Sequence, residues 1–534
     1  MAGERIYLYD TTLRDGAQTQ GVDFGVPDKL AIARELDQLG VDYIEGGWPG
    51  ANPTDDALFA KPPKLSRARL CAFGMTRRSG RSAGNDPGLA AVLASGAKVA
   101  TLVGKAWDFH AKVALGIGLD ENIKMIGESV AHAKSKLDEV IFDAEHFFDG
   151  HRGNQKFALD CIAAAAKAGA RWIVLCDTNG GTLPDEIERI VREAAKTVPG
   201  DRLGIHCHND TENGVANSLA AVRAGARHVQ GTLNGLGERC GNANLISIIP
   251  NLVLKMGYAT GIDVEGLKRL THVSRFLDER LNRAPDRHAA YVGESAFAHK
   301  GGLHVSAVEK DPRSYEHIEP ETIGNRRRIV VSDQAGKANL LARLRELGIA
   351  VKPDHPKLGA LLDEVKLREF QGYAYDGAEA SFELLARRTL ETVPEYFRVQ
   401  RFRIMDERRT SAKGELVTVS EATVTGEVGN KPFLEVAESH DGPVDALTTA
   451  LRKALVPAFP ELEATRLTDY KVRILTPQDA TKAVTRVMIE SADKDGKDGE
   501  VWSTVGVSSD IINASYIALH DSLTYKLWRS GRRA

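Results

Sequence analysis

The feature that most constrains the fold of this chain is a phrase that recurs along its first half. In each copy a glycine is followed by valine or alanine, then by a charged residue and then by an apolar run. The copies are LGVDYIE (39–45), SGAKVAT (95–101), AGARWIV (168–174) and AGARHVQ (224–230). Glycine just past a helix end suits the left-handed cap position, and the apolar run suits a buried strand. The phrase therefore predicts alternating helices and buried strands.

The intervals between these phrases complete a set of eight predicted strands, with helical segments between most of them. The strands are RIYLYD, DYIEGG, LCAFG, KVATLVG, EVIFDAE, RWIVLCD, RLGIHCH and HVQGTLN. Several are nearly continuous apolar runs, as expected of parallel strands covered on both faces. Eight such units in about 260 residues match the size of a (β/α)₈ TIM barrel. A doubly wound sheet is the alternative, but DTTLRDG follows the first strand where that fold usually has GxGxxG.

The chain of 534 residues is longer than one such barrel, and its pattern changes twice beyond it. We predict a barrel over residues 1–275, mostly helical linker subdomains over 276–395 and an α+β domain over 396–534. The last segment predicts an amphipathic helix that packs its apolar face on this third domain. The residues of that face are Ile512, Tyr516, Leu519, Leu523 and Leu527.

Composition excludes several classes of partner. Charged residues make up 27% of the chain and the net charge is −3, so neither nucleic acid nor a membrane surface is predicted as a partner. No apolar stretch approaches the roughly 18 residues of a membrane-spanning helix. The five cysteines are scattered and form no CxxC pair, which favours reduced thiols and a cytoplasmic location.

The stretch GIHCHND (204–210) places two histidines two positions apart in a predicted strand. Side chains alternate along a strand, so His206 and His208 point to the same side. Active sites of such barrels lie at the carboxyl ends of the strands, where the first strand brings Asp15. With the amide oxygen of Asn242, these residues could bind a divalent ion such as Mg²⁺, Mn²⁺ or Zn²⁺. The alternative is a pair of core histidines that hydrogen-bond to nearby carboxylates.

Arg14 lies beside this predicted metal site and has two interpretations. It could form a structural ion pair with Glu45 or Asp177, which follow other strands. It could instead bind a substrate carbonyl oxygen that becomes an alkoxide, because a fixed cation stabilises the developing charge. The position of Arg14 alone does not separate the two.

Three motifs in this order resemble one enzyme family. DTTLRDGAQ (10–18), HCHND (206–210) and GERCGNANL (237–245) are similar to motifs of the 2-isopropylmalate, homocitrate and citramalate synthases. The resemblance continues through FAHKGGLHVSA (297–307) and SYEHIEPETIGNRRR (314–328) to the C-terminal helix, and so covers almost the whole chain. It implies an acyltransferase that performs a Claisen condensation on a metal-dependent barrel.

Two further stretches look most like the citramalate synthase branch of this family, namely GGWPGANPTD (46–55) and GKAWDFH (104–110). That branch condenses pyruvate with acetyl-CoA and hydrolyses the thioester, in isoleucine biosynthesis. Synthesis of 2-isopropylmalate or homocitrate from a larger 2-keto acid is the alternative within the family. The two alternatives from other classes are a metal-dependent carbon–carbon lyase and a non-enzymatic metabolite sensor.

The resemblance implies roles at the metal site. Asp15, His206 and His208 would be metal ligands, with Asn242 completing the set. Arg14 would bind the keto oxygen of the acceptor.

The resemblance also implies roles around the substrates. Gln18 and Thr178 would contact the acceptor or its carboxylate. Glu145 matches the acidic residue at the end of the fifth strand. His304 matches a histidine implicated in proton transfer from the acetyl methyl group, with Glu145 as its orienting partner and His299 as a rival. The C-terminal domain would dimerise the chain and bind isoleucine as an allosteric effector.

Overall fold

A computed structural model gives the fold of this chain. Four stretches are described, namely residues 4–329, 336–410, 414–493 and 501–532. They divide into two compact units. Unit 1 contains Met1–Phe297 and Ile318–Arg327, and unit 2 contains Ala298–His317 and Arg328–Ala534.

Eight parallel strands close into a barrel in unit 1. They are β1 (Tyr7–Asp10), β2 (Tyr43–Gly47), β3 (Arg69–Met75), β4 (Val99–Lys105), β5 (Glu139–Glu145), β6 (Trp172–Asp177), β7 (Leu203–Cys207) and β8 (His228–Gly231). Each strand pairs with its neighbours in sequence, and β8 pairs with β1 to complete the circle. The predicted (β/α)₈ barrel is confirmed, and an open doubly wound sheet is excluded.

Helices follow the strands of unit 1 around the outside of the barrel. They are α1 (Val26–Leu39), α2 (Pro53–Ala60), α3 (Pro87–Ala94), α4 (Asp108–Val113), α5 (Leu119–Lys134), α6 (Phe147–Lys167), α7 (Pro184–Ala194), α8 (Gly214–Arg223), α9 (Leu245–Pro250), α10 (Val264–Lys268) and α11 (Leu270–Arg280). The glycine of each recurring phrase has a positive φ: Gly40 104°, Gly96 84°, Gly169 100° and Gly225 117°. Because L side chains rarely adopt this conformation, glycine is what lets the chain leave a helix and enter the next strand.

The interior of the barrel is aromatic at its amino-terminal end. Trp172, Tyr9 and Tyr43 are buried there and surround His228, whose ring centroid lies 5.0 Å from that of Trp172. Apolar residues on the opposite faces of the strands pack outward against the helices. The barrel interior is therefore a packed core and not a pore.

Unit 2 contains helices and two antiparallel sheets. The helices are α12 (Gly302–Lys310), α13 (Lys337–Glu346), α14 (Leu358–Phe370), α15 (Glu379–Leu390), α16 (Pro443–Leu455) and α17 (Ile511–Arg529). A short parallel pair, β9 (Ala298–His299) and β10 (Arg328–Ile329), precedes the two sheets. The first sheet comprises β11 (Phe397–Thr410), β12 (Leu416–Val428) and β13 (Lys431–Ser439). The second comprises β14 (Thr465–Ile474), β15 (Thr485–Asp493) and β16 (Val501–Ser508). Along the chain, α16 lies between the two sheets and α17 follows the second.

The terminal helix α17 buries the face that its sequence predicts. Leu519, Leu523 and Leu527 are buried in the core of the two sheets, and Ile512 and Tyr516 are half-buried against it. The predicted order of barrel, helical stretch and α+β domain is thus confirmed. None of the helices in the described stretches has the length and apolar character that a membrane crossing requires.

His228 predicts how the barrel responds to acid. The side chain is fully buried, neither ring nitrogen has a hydrogen-bond partner among the described residues, and burial lowers its pKa to about 3. The unfolded chain binds a proton at His228 below its ordinary pKa of about 6.5, whereas the folded chain does not until about 3. This group therefore removes stability as the pH falls through that interval.

We expect His228→Leu to flatten this acid dependence. Between pH 7.5 and 5 the wild type should lose about 2 kcal/mol more of its free energy of unfolding than the variant. The lower pH lies about 1.5 units below the ordinary pKa of histidine, and each unit corresponds to about 1.36 kcal/mol. Urea unfolding at the two pH values measures the difference. The exposed His288→Leu serves as the control and should follow the wild type. Equal losses in the wild type and His228→Leu would show that His228 does not set the acid dependence.

Candidate functional site

The turn after β1 carries Asp15 to the barrel mouth. Asp10 ends β1 and fixes this turn, because its two carboxylate oxygens accept hydrogen bonds from the backbone N and the Oγ1 of Thr12, each at 2.9 Å. The Thr12 hydroxyl in turn accepts a hydrogen bond from the backbone N of Leu233, beyond β8, at 2.9 Å. The turn is therefore tied to the neighbouring strand end, and Asp15 is held next to β7 and β8.

Asp15, His206 and His208 form a buried cluster at the carboxyl end of the barrel. One potential ligand atom from each residue lies within 4.8 Å of the others. The Nε2 of His206 is 3.3 Å from Oδ2 of Asp15, and the two imidazole centroids are 5.2 Å apart. The two histidines thus share a side of the strand, and the structure brings together all three residues.

A hydrogen-bonded chain behind His206 sets the direction of its ring. Nδ1 of His206 lies 2.9 Å from Oε1 of Gln230, and Nε2 of Gln230 donates to Oδ1 of Asp143 at 3.0 Å. Because an amide oxygen only accepts, Nδ1 carries the proton and Nε2 is left facing Asp15. Such outer partners orient metal-binding histidines in proteins. Burial raises the pKa of Asp143 to about 7.

Asn242 joins the cluster from the segment after β8. Its Nδ2 donates to Oδ2 of Asp15 at 2.8 Å, and its backbone forms an isolated bridge with His208. Its Oδ1 is buried and has no hydrogen-bond partner within the described stretches. A buried, unpaired oxygen acceptor beside one carboxylate and two imidazoles fits the mixed oxygen and nitrogen set that a divalent cation takes.

The charges of the cluster match this fit. Burial alone would raise the pKa of Asp15, but Arg14 and His206 hold it well below its usual range. Burial opposes protonation of His206, but the hydrogen bond to Asp15 raises its pKa above the ordinary value. Burial and the neighbouring His206 lower the pKa of His208 to about 3. Asp15 is therefore a carboxylate and His208 a neutral imidazole, which are the forms that bind metal ions. Asp15 favours a proton on Nε2 of His206, and a bound ion would take the place of that proton.

Arg14 is fixed between a carboxylate and an aromatic ring. Its Nε donates to Oε2 of the fully buried Glu45 at 2.6 Å, and its guanidinium carbon lies 3.8 Å from the ring centroid of Phe73. Glu45 also accepts a hydrogen bond from the Tyr9 hydroxyl at 2.8 Å. The expected ion pair exists and its partner is Glu45, whereas Asp177 accepts a hydrogen bond from Thr182. A guanidinium has five N–H donors, so this pairing leaves others for a substrate oxygen.

The predicted acceptor-binding residues Thr178 and Gln18 differ in burial, and Glu145 is paired with a lysine. Thr178 is half-buried after β6, and its hydroxyl accepts a hydrogen bond from the backbone N of His146 at 2.8 Å. Gln18 is exposed at the end of a single 3₁₀ turn, Gly16–Gln18. Glu145 ends β5 and forms an ion pair with Lys105, which ends β4.

His304 and His299 both belong to unit 2 and differ in their surroundings. His304 is exposed on α12, with its ring centroid 4.3 Å from that of Tyr315. His299 is buried, and its Nε2 lies 3.0 Å from Oε1 of the buried Glu316. His304 is thus the more accessible of the two imidazoles. The assignment of the base stays a prediction.

Sequence reasoning did not single out Gln230, Lys105 or Arg239. Gln230 lies inside a predicted strand, where no local pattern marks it as a polar contact. Lys105 directly follows the predicted strand KVATLVG and lies within the quoted GKAWDFH motif, so that motif was the available signal. Arg239 lies within the quoted GERCGNANL motif, so that motif was the available signal. Arg239 donates to Oδ1 of Asp210 at 2.8 Å and to the carbonyl of Thr178 at 2.8 Å, and its NH2 atom lies 3.0 Å from Nδ1 of His208.

Three family models match this chain in succession. Residues 5–274 match the model described as HMGL-like. Residues 291–367 match a homocitrate synthase post-HMGL domain-like model, and residues 376–527 match the LeuA allosteric (dimerisation) domain.

The chain is also similar to curated proteins along their whole length. It is 49% identical over 533 residues to an (R)-citramalate synthase of Aquifex aeolicus, with 98% of each chain covered. It is 49% identical over 527 residues to an (R)-citramalate synthase of Geobacter sulfurreducens, again with 98% of each covered. Identity to a probable 2-isopropylmalate synthase of Methanopyrus kandleri is 32% over 523 residues, with 96% of each covered. The chain is therefore more similar in sequence to these two citramalate synthases than to the probable 2-isopropylmalate synthase.

The geometry of the candidate metal site predicts which substitutions will weaken the binding of a divalent ion. After chelation and reloading, we expect a divalent ion to raise the unfolding temperature of the wild type, because it binds the folded chain. His206→Ala should lose this shift, and Gln230→Leu should weaken ion binding about 10–100-fold through the lost orientation of His206. Calorimetric titration with Mn²⁺ and thermal unfolding measure the two effects. His132→Asn, on α5, is the control; an unchanged ion shift in His206→Ala would exclude this site.

Proposed function

This chain belongs to the HMGL-like family and groups within it with the (R)-citramalate synthases, and on that premise we propose that it condenses acetyl-CoA with pyruvate and hydrolyses the thioester to give citramalate and CoA. The observation that carries the proposal is the buried set of Asp15, His206 and His208 at the barrel mouth. The chemistry needs such a set beside a fixed cation, and Arg14 is that cation.

We propose that Asp15, His206, His208 and the amide oxygen of Asn242 hold a divalent ion, Mg²⁺, Mn²⁺ or Zn²⁺. Such an ion polarises the carbonyl of a 2-keto acid that chelates it through its keto and carboxylate oxygens. Gln230 keeps the Nε2 of His206 directed at this position. The side chains of the cluster are ordered before substrate arrives, so little reorganisation is needed.

Arg14 stabilises the oxygen that gains charge on the acceptor. Glu45 and Phe73 hold the guanidinium from two sides. A preoriented donor in a water-poor site stabilises a developing alkoxide far better than a mobile one. Thr178 and Gln18 are the residues that we propose for the acceptor and its carboxylate.

His304 is the proposed base, from the resemblance of its motif. It takes a proton from the acetyl methyl group, and the resulting enolate forms a carbon–carbon bond with the keto carbon of pyruvate. The electron pair of the keto group moves to its oxygen, beside Arg14, and that oxygen is protonated. Water then adds to the thioester carbonyl, and CoA leaves as the thiol.

A larger acceptor remains the alternative within the family. The proposed 2-isopropylmalate or homocitrate activity would use the same ligands and the same arginine. One methylene more or less in an apolar pocket changes binding by only about 1–3 kcal/mol. The higher identity to citramalate synthases favours pyruvate.

We propose that three segments of the chain have different functions. Residues 1–275 would carry the chemistry, residues 276–395 would form the linker, and residues 396–534 would dimerise the chain and bind isoleucine. The match of the last part to an allosteric and dimerisation domain supports this division. The five cysteines are free thiols, which agrees with the proposed cytoplasmic location.

Thiol release from acetyl-CoA tests the acceptor and Arg14 together. With metal-loaded protein, we expect release with pyruvate and much less with 2-ketoisovalerate or 2-oxoglutarate, and none after chelation. Arg14→Gln should lower kcat about 100–1,000-fold, the cost of one oxyanion donor, while ion binding is retained. Arg189→Gln, on the exposed face of α7, is the matched control. Release with another acceptor alone would replace pyruvate, and no release with any acceptor would overturn the proposal.

Feedback control is tested with the same assay. We expect saturating isoleucine to lower turnover and leucine to have a weaker effect. Light scattering should give twice the mass of one chain. If isoleucine and leucine both leave turnover unchanged, the regulatory proposal is wrong even if the chain is a dimer.

A further inference from the structure

A charged pair whose lysine has no role in the proposed chemistry lies at the carboxyl ends of β4 and β5. Lys105 is the last residue of β4 and Glu145 the last of β5, and they are partners in the strand register. Their side chains form an ion pair and are 15% and 24% exposed. The pair is therefore shielded, yet it can be reached from the barrel mouth.

The alternation along β5 fixes the depth of this pair. Asp143 points into the barrel, since it accepts a hydrogen bond from Gln230 of β8. Glu145 is two residues further along the same face, and so about 7 Å nearer the mouth. His208 likewise lies two residues beyond His206, on the same side of the chain and nearer the mouth. Glu145 and His208 therefore belong to one layer of inward-facing side chains.

Lys105 also lies on the inward-facing side of its strand. Thr101 of β4 points into the barrel, because its Oγ1 lies 2.6 Å from the Tyr9 hydroxyl. Lys105 is four residues further along the same face of the strand. An eight-stranded barrel is just wide enough for side chains to fill, so residues of one layer face each other across it. Lys105 thus ends the inward-facing side of β4 at the carboxyl end of the barrel, the end that also carries the Asp15, His206 and His208 cluster.

The proposed reaction places negative charge on two different oxygens. Arg14 and the proposed ion stabilise the charge on the keto oxygen of the acceptor. The carbonyl oxygen of the thioester gains charge earlier, when its methyl group loses a proton, and no residue has yet been assigned to it. Arg239, another cation near the mouth, is already engaged with Asp210 and the carbonyl of Thr178.

We propose that Lys105 is a further catalytic residue, whose ammonium group binds the thioester carbonyl oxygen of the acyl donor and stabilises the enolate that forms there. The inference rests on the proposed function and adds a donor subsite to it. When the base takes the methyl proton, the C–H electron pair forms the C=C bond and the carbonyl π pair moves to the oxygen beside Lys105. When the new carbon–carbon bond forms, the thioester carbonyl is restored and the charge passes to the former keto oxygen beside Arg14.

Glu145 has a defined part in this arrangement. It holds the ammonium in one place, and an ammonium has three N–H donors, so donors remain for a ligand oxygen. The pair is neutral as a whole before the donor binds, which limits the cost of burying the lysine. A fixed donor of this kind acts on charge that develops in the transition state. In this proposal Glu145 is thus a positioning residue for Lys105, in place of the orienting role toward His304 that the resemblance implied.

The test compares Lys105→Met and Lys105→Arg with the wild type as full-length, metal-loaded protein. Lys156→Met, an exposed lysine of α6, is the matched control. Turnover is measured with acetyl-CoA and with trideuteroacetyl-CoA, which reports how far methyl proton removal limits the rate. Ion binding and thermal unfolding are followed for each protein, so that a folding defect is recognised.

We expect Lys105→Met to lower kcat about 100-fold or more, as loss of one oxyanion donor does. The KM for pyruvate should stay within about 3-fold, because acceptor binding is untouched. The deuterium isotope effect on kcat should be clearly above one and at least as large as in the wild type, and Lys105→Arg should recover part of the rate. A loss caused only by a disturbed fold would not raise the isotope effect and would lower the unfolding temperature.

Three results would overturn the inference. The first is turnover of Lys105→Met close to that of the wild type. The second is a large loss with an isotope effect near one, because proton removal is then not the slowed step. The third is a large loss of ion or pyruvate binding with Lys105→Arg no better than Lys105→Met. A wild type that condenses none of the keto acids would instead overturn the proposed function on which the inference rests.

Discussion

The closure of β8 onto β1 is the constraint on which the site depends. Tyr7 lies opposite His228 and Asp10 opposite Gly231, so the first and last strands of the barrel become neighbours. This pairing, together with the hydrogen bond from Leu233 to Thr12, brings the turn that carries Asp15 against β7. An open sheet would leave the first strand at a distance from the seventh, and no metal cluster would form. The cluster of Asp15, His206 and His208 is thus a product of barrel geometry.

Inside this closed barrel, buried charge is held by hydrogen bonds. One network runs from Arg14 through Glu45 and Tyr9, and another from Asp143 through Gln230 to His206. A buried polar group without a hydrogen-bond partner would cost about 1–3 kcal/mol of stability if it is neutral, and more if it is charged. The same low polarity strengthens the interactions that remain. These hydrogen bonds hold Arg14 and His206 in defined positions, which suits proposed chemistry that depends on fixed cations.

Much of the fold could be predicted from local patterns, and specific residues show why. Gly40 and Gly169 mark helix ends because the left-handed conformation is a property of single residues. His206 and His208 share a side because alternation is a property of one strand. Gln230 could not be found in this way, since its partner depends on the register of two strands and its neighbours in sequence are apolar. Lys105 directly follows a predicted strand, and its pairing with Glu145 depends on the register of β4 and β5.

The sequence by itself determined the order of helices and strands, the apolar face of the last helix, and the residue types at the ends of the barrel strands. These follow from caps and periodicities that act over a few residues. Only the tertiary structure decided that Arg14 pairs with Glu45 and not with Asp177, and that Glu145 pairs with Lys105. Such choices depend on how far around the barrel two strands lie and on the depth of each side chain, and both are set when the sheet closes.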